Sequence, residues 1–226
     1  MASVTEICNL ALRRARVEVI GDIDEDSAEA RECKILYGPA RDYILELYAW
    51  RFAKKTVALA DTGNSPTEWS YEYGYPNDCL RINYLLPPGV GQSILKNQVG
   101  SIEFDPQPYE VGMRDDDTDR VIRSNQDDAY IAYTSKVTNP DMFSGTFSQA
   151  ISWHMAADLA IVFGGDSGQG YRRIAIDEFG KRLAEATTLD VDQSQKVIRR
   201  LPRNLAARSD SVPSHYYYNG QLFRRY

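Results

Sequence analysis

The chain changes its hydrophobic period twice. Up to about residue 53, apolar positions recur at three- and four-residue steps, which places them on one face of a helix. From about 54 to 139 the step shortens to two, the period of a strand. Helical spacing returns at about Ser144 and is lost again near Asp190.

The first helical stretch runs from about Val4 to Arg16, with Val4, Ile7, Cys8, Ala11 and Ala15 as its stripe. Ser3 and Glu6 stand three apart at its start, the spacing of a capping box. Gly21 to Glu25 forms a turn into a longer stretch, Asp26 to Ala53. Its stripe is Ala30, Cys33, Tyr37, Ala40, Ile44 and Leu47. Asp26 and Glu29 have capping-box spacing, with Ile23 as the staple residue. Pro39 has no N–H to give the carbonyl four residues back, so a kink or break is expected there. Trp50-Arg51-Phe52-Ala53 closes the stretch as an aromatic anchor.

Strands are expected at Thr56–Ala60, Trp69–Tyr75, Cys79–Leu86, Ser93–Lys96, Ser101–Phe104, Arg120–Arg123 and Asp128–Val137. Trp69, Tyr71, Tyr73 and Tyr75 share one face of the second. A third helix from about Ser144 carries Phe147, Ile151, Met155, Leu159 and Val162 on one face, with alanines between. It is apolar nearly all round, the pattern of a central helix. Gly164–Gly168 breaks it. A fourth helix, about Gln169–Thr188, turns Tyr171, Ala175, Phe179, Leu183 and Ala186 inward.

The expected fold class is therefore α+β. Residues 1–53 and 144–189 make a discontinuous four-helix bundle. Residues 54–143 make a small inserted antiparallel β domain, and 190–226 an extended C-terminal docking tail.

Charge sharpens the distinction between body and tail. The whole chain has a formal charge of −6, but Lys196–Tyr226 carries seven basic residues against one acid, Asp210, leaving −12 for the rest. An acidic body with a basic tail is an interaction pattern. The tail ends in Tyr216, Tyr217, Tyr218, Leu222, Phe223, Arg224, Arg225 and Tyr226, which are costly to leave in water and suited to docking on a partner. No apolar run approaches the ~20 residues of a membrane span. The opening residues lack a secretory-leader pattern, so secretion by that route is not expected. Cys8, Cys33 and Cys79 have no zinc-ligand spacing and fit a reducing compartment.

Three motifs invite a chemical reading. Gly165-Asp166-Ser167-Gly168 matches the tetrapeptide around a serine-protease nucleophile, but the only histidines are His154 and His215. Neither stands in the order a catalytic triad of that family needs. An interhelical turn, with Asp166 or Ser167 capping the next helix, is the preferred reading. The same glycines lack the lysine of a phosphate loop. Asp115–Asp119 and the run Asp22, Asp24, Asp26 lack the glycine and closing glutamate of a calcium loop. Asp158, inside the apolar helix, needs a partner, and Arg41 just past the expected kink is the candidate. No catalytic residue, metal ligand or cofactor site is assigned.

Short motifs in a fixed order resemble one family. Glu6-Ile7-Cys8-Asn9-Leu10-Ala11-Leu12 is similar to the opening of the tail tubular protein A family. Ala40-Arg41-Asp42 followed by Trp50-Arg51-Phe52-Ala53 resembles that family's helix and aromatic anchor. Tyr71, Tyr73 and Pro76-Asn77-Asp78-Cys79-Leu80-Arg81-Ile82 resemble its strand entry. The resemblance spans about residues 5–190 and excludes the tail. These proteins are head-to-tail adaptors of short-tailed bacteriophages. The resemblance implies a structural virion protein, made in the host cytoplasm and placed in the neck of the tail. It implies a homo-oligomeric ring of twelve subunits between portal protein and tail nozzle, with a channel for genome ejection. DNA would pass without specific binding, which an acidic lining favours. The tail, from Tyr216 on, would latch the portal, while Arg41, Asp158, Trp50 and Phe52 would be structural. Two readings compete. One is an envelope-directed hydrolase acting on peptidoglycan or capsule, for which no residue constellation stands out. The other is nucleic-acid binding through the basic tail, which the acidic body opposes.

Overall fold

The computed structural model describes residues 3–88, 107–114 and 119–192, and the backbone of 216–218 and 221–223. It is a mixed helix-and-sheet structure, with four α-helices and two small antiparallel three-stranded sheets. Helices and sheets belong to one compact unit. Of the C-terminal unit, two short strands are described, Tyr216–Tyr218 and Gln221–Phe223, paired antiparallel as a hairpin.

Helix α1 (Val4–Arg14) starts as its sequence dictates. Ser3 Oγ accepts from the Glu6 amide, and Glu6 accepts from the Ser3 amide at 2.8 Å. It ends with Arg16 in the left-handed region (φ 62°), where the Val17 amide reaches back to the Leu12 carbonyl at 2.9 Å. Helix α2 (Ala28–Leu47) starts one residue later than the expected box. Ser27 is its N-cap and Ala30 donates to it, while Asp26 is drawn off to Arg31. Pro39 neither breaks nor ends this helix, which is continuous through it. The carbonyl that loses its partner belongs to Ile35, on the solvent side, where water can satisfy it. The inward stripe holds from Ala30 to Ile44, but Leu45 is buried and Leu47 is 40% exposed. The helix stops at Leu47, so no further turn folds that side chain onto the core.

Helix α3 (Gly145–Phe163), capped by Ser144, is buried along most of its length and packs on α1, on α2 and on α4 (Gly168–Asp192). Its apolar circumference is explained by that central position. Val162, expected inward, is exposed. The chain folds back at Gly164–Gly168 over Ala160, and a Cβ at either glycine would stand within 2.4 Å of the Ala160 carbonyl oxygen (2.2 and 2.3 Å). The turn between them is a 3-10 segment, Gly165–Ser167, with no side-chain cap. Helix α4 runs through Asp190, which the sequence pattern assigns to the tail.

Between the helix pairs lie β1 (Lys54–Ala58), β2 (Tyr71–Gly74), β3 (Cys79–Leu86), β4 (Tyr109–Met113), β5 (Arg120–Ser124) and β6 (Tyr130–Ser135). One sheet has the order β1-β6-β3 and the other β2-β5-β4. The two sheets share a small core of Tyr73, Cys79, Leu85, Ile122, Ala129, Ile131 and Tyr133. Strand β4 carries no apolar alternation because most of it is exposed at a sheet edge, so its sequence gives no strand signal. The expected strands Ser93–Lys96 and Ser101–Phe104 lie outside the described residues. Among the described residues no helix is long and apolar enough to cross a membrane.

Candidate functional site

The sequence singles out four internal residues, and the structure divides them. Trp50 and Phe52 come together where α2 hands over to the first sheet. Trp50 is fully buried, and its indole donates to the Ile44 carbonyl at 2.8 Å. Its ring meets Phe147 edge-on at 4.9 Å, and Phe52 meets Phe147 at 5.1 Å and Phe143 at 6.0 Å. Between the two aromatics, the Arg51 amide donates to both carboxylate oxygens of Asp190, each at 3.2 Å. Burial raises the Asp190 carboxyl above its ordinary range, and the Arg51 amide and guanidinium oppose that rise. The handover from helix to sheet is thus fastened to the far end of α4.

Arg41 and Asp158 are not partners. Arg41 is buried and pairs with its neighbour Asp42 at 2.7 Å. Asp42 also receives Lys136 at 2.8 Å, just past β6. The adjacent carboxylate satisfies Arg41 without a crossing to α3. Asp158 is only half-buried, so it needs no buried counter-charge. One turn before it, the His154 ring stacks on Tyr43 of α2 and meets Phe179 of α4 at a tilt of 46°, with ring centres 5.0 Å from each. Burial lowers the His154 pKa, and Asp158 partly opposes this.

The second sheet holds a buried carboxylate that the sequence pattern does not flag. Glu72 sits between Tyr71 and Tyr73 on a two-residue alternation that suggests a solvent face, yet it is 2% exposed. Thr62 Oγ1 and Asn64 Nδ2 each donate to it at 3.1 Å, and Arg123 directly across the strand pair donates at 3.4 Å. Burial alone would raise its pKa, but these three donors together hold it below the usual range. The signal available in the sequence was the pair of turn residues Thr62 and Asn64, placed to fold back over β2.

No nucleophile–base pair forms at the Gly165–Gly168 turn. His154 lies nine residues before the end of α3 at Phe163, about 13 Å of helix back from the turn. An open groove of about 770 Å³ is lined by Ser144, Gln149, Arg182, Glu185 and Asp192 among others. Its arginine and Glu185 are paired with each other at 2.9 Å. Among the described residues no three His, Cys, Asp or Glu side chains converge as a metal site. Asp22 accepts from the Asp24 amide, Asp24 pairs with Lys34 and Asp26 with Arg31, so that run is dispersed among separate partners. Asp115–Thr118 lie outside the described residues.

In the C-terminal hairpin Tyr216 stands opposite Phe223, Tyr217 opposite Leu222 and Tyr218 opposite Gln221. Arg224, Arg225 and Tyr226 lie outside the described residues. What the arrangement offers chemically is anchoring: aromatic packing, a helix-to-sheet clasp and a satisfied internal carboxylate. No protein-family model matches the chain, and no curated protein matches it.

Proposed function

We propose that this chain is a head-to-tail adaptor of a short-tailed phage, a ring-forming structural protein between portal and tail nozzle with a central channel for DNA. In this reading, residues 1–53 and 144–189 act as one discontinuous four-helix bundle. The strands between them are an insert, and 190–226 is the docking tail. The observation that carries the reading is the Arg51–Asp190 clasp beside Trp50 and Phe52. It sits on the aromatic anchor motif that resembles the adaptor family and ties the two helix pairs across the insert. His154 and Asp158 lie one turn apart within α3 while Ser167 lies past its end in the turn, which supports a structural role over the envelope-hydrolase reading.

The test is attachment to portal-bearing heads. The full chain is expected to co-sediment with them, and a chain ending before Asp210 is expected to stay folded but remain in the supernatant. Equal attachment by the truncated chain would remove the tail from the docking role. Failure of the full chain to attach to any portal-bearing head would overturn the adaptor reading. Turnover of peptidoglycan or capsule, lost in Asp158→Asn, would favour the hydrolase.

A further inference from the structure

Two thiols meet inside the contact between α1 and α2. Cys8 and Cys33 stand on the inward stripes of these helices, and both are fully buried. The two helices pack mostly on α3 and only slightly on each other, so the pair lies in a thin joint. The Cys8 thiol donates to the Cys33 sulfur. That bond, with burial, holds the proton on Cys8. Accepting it lowers the Cys33 thiol, against burial and against the nearby Glu29 and Glu32. Cys33 is therefore the readier nucleophile of the two, because the thiolate is the reactive form. Tyr37, one turn past Cys33, brings a buried hydroxyl with no hydrogen-bond partner to the same core. Cys79 belongs to the separate core between the sheets.

A buried thiol meets an oxidant only when the fold opens locally, and a small oxidant needs the least opening. We infer that Cys8 and Cys33 are a redox-sensitive fastener: two thiols in reducing surroundings, and a disulfide joining α1 to α2 once hydrogen peroxide reaches them.

The Cys33 sulfur attacks one peroxide oxygen, the O–O bond breaks, and the departing hydroxide leaves as water with the Cys33 proton. A sulfenic acid remains on Cys33. The Cys8 sulfur then attacks the Cys33 sulfur, the S–O bond breaks, and the departing hydroxide takes the Cys8 proton as a second water. The two thiols lose one electron each, and the peroxide is reduced to two waters. The new bond closes the chain from Cys8 to Cys33 into a loop and ties together two helices that otherwise meet mainly through α3. None of this depends on the ring reading.

The test is peroxide treatment of the full folded chain, followed by thiol capture, peptide mapping and thermal unfolding. The conditions are those that oxidise the cysteines of the urea-unfolded chain. The Cys8 and Cys33 peptides are expected to be joined, with the loss of two hydrogen atoms and with Cys79 outside the bond. The oxidised chain is expected to melt about 5–10 °C higher, and dithiothreitol to return it to its starting value. Cys8→Ala and Cys33→Ala should each abolish the bond and the upward shift, while Cys79→Ala keeps both. Where a variant does not fold, mapping of the natural chain decides. Thiols that stay intact, sulfinic acids in place of a joined pair, or a bond to Cys79 would overturn the inference. A joined pair with an unchanged or lower melting temperature would overturn it as well, since the bond would fasten nothing.

Discussion

Trp50 shows how much one side chain can hold. It is fully buried, donates its indole proton to Ile44 and packs on Phe147, so Trp50→Ala should cost about 3–5 kcal/mol of stability. Chemical denaturation measures this, and a cost below about 1 kcal/mol would mean that the anchor is dispensable. Two titrating groups act in separate pH windows. The His154 pKa is lowered from 6.5, first by burial, with Asp158 opposing. The folded state therefore disfavours the charged ring, and stability falls as pH drops below 6.5. His154→Phe keeps an aromatic ring between Tyr43 and Phe179 and should flatten the stability curve between pH 7 and 5. An unchanged slope would assign that window to another group. Glu72 is held below its ordinary 4.5, its donors outweighing burial, so its contribution is complete above that range and lost as pH falls through the lowered value. Glu72→Gln should remove that acid limb and cost about 1–3 kcal/mol at neutral pH, since Arg123 loses its charged acceptor. A variant as stable as the natural chain at neutral pH, with the same loss of stability toward acid, would contradict this. Residue-scale pairing was the least legible feature of the sequence. Arg41 and Asp158 each seemed to need a distant partner, but Arg41 takes the neighbouring Asp42. At Glu72, two-residue alternation cannot report that a loop closes over the second face of a strand.

At the scale of elements, periodicity and capping decide most of what is seen. The α1 box stands where the sequence puts it, α3 begins beside Ser144, and β3 occupies Cys79–Leu86 as expected. The start of α2 moved by one residue, because Asp26 is engaged by Arg31 and Ser27 is free to cap. Ser27→Ala should therefore destabilise by about 1 kcal/mol, and Asp26→Ala by only a few tenths. Thermal melts of the two variants separate the alternatives, and a larger loss in Asp26→Ala would restore the original box. Of the kink or break expected at Pro39, the break does not occur: the proline is carried within the helix, and the affected carbonyl is on the solvent side.

At the scale of the molecule, the two changes of hydrophobic period mark where helices give way to sheets and return. That much was legible because each period needs only local sequence. The fastening was not. Arg51 and Asp190 are separated by most of the chain, and their contact follows from the way α3 gathers α1, α2 and α4 around itself. Asp190 would have been assigned to a tail on composition alone, whereas its carboxylate closes the joint between helix and sheet. The most direct measurement is an end-on electron-microscopy reconstruction of portal-bearing heads incubated with the full chain. The account predicts a closed ring of twelve copies seated on the portal around an open channel. Heads with a bare portal vertex, or with the chain bound as scattered single copies, would contradict it.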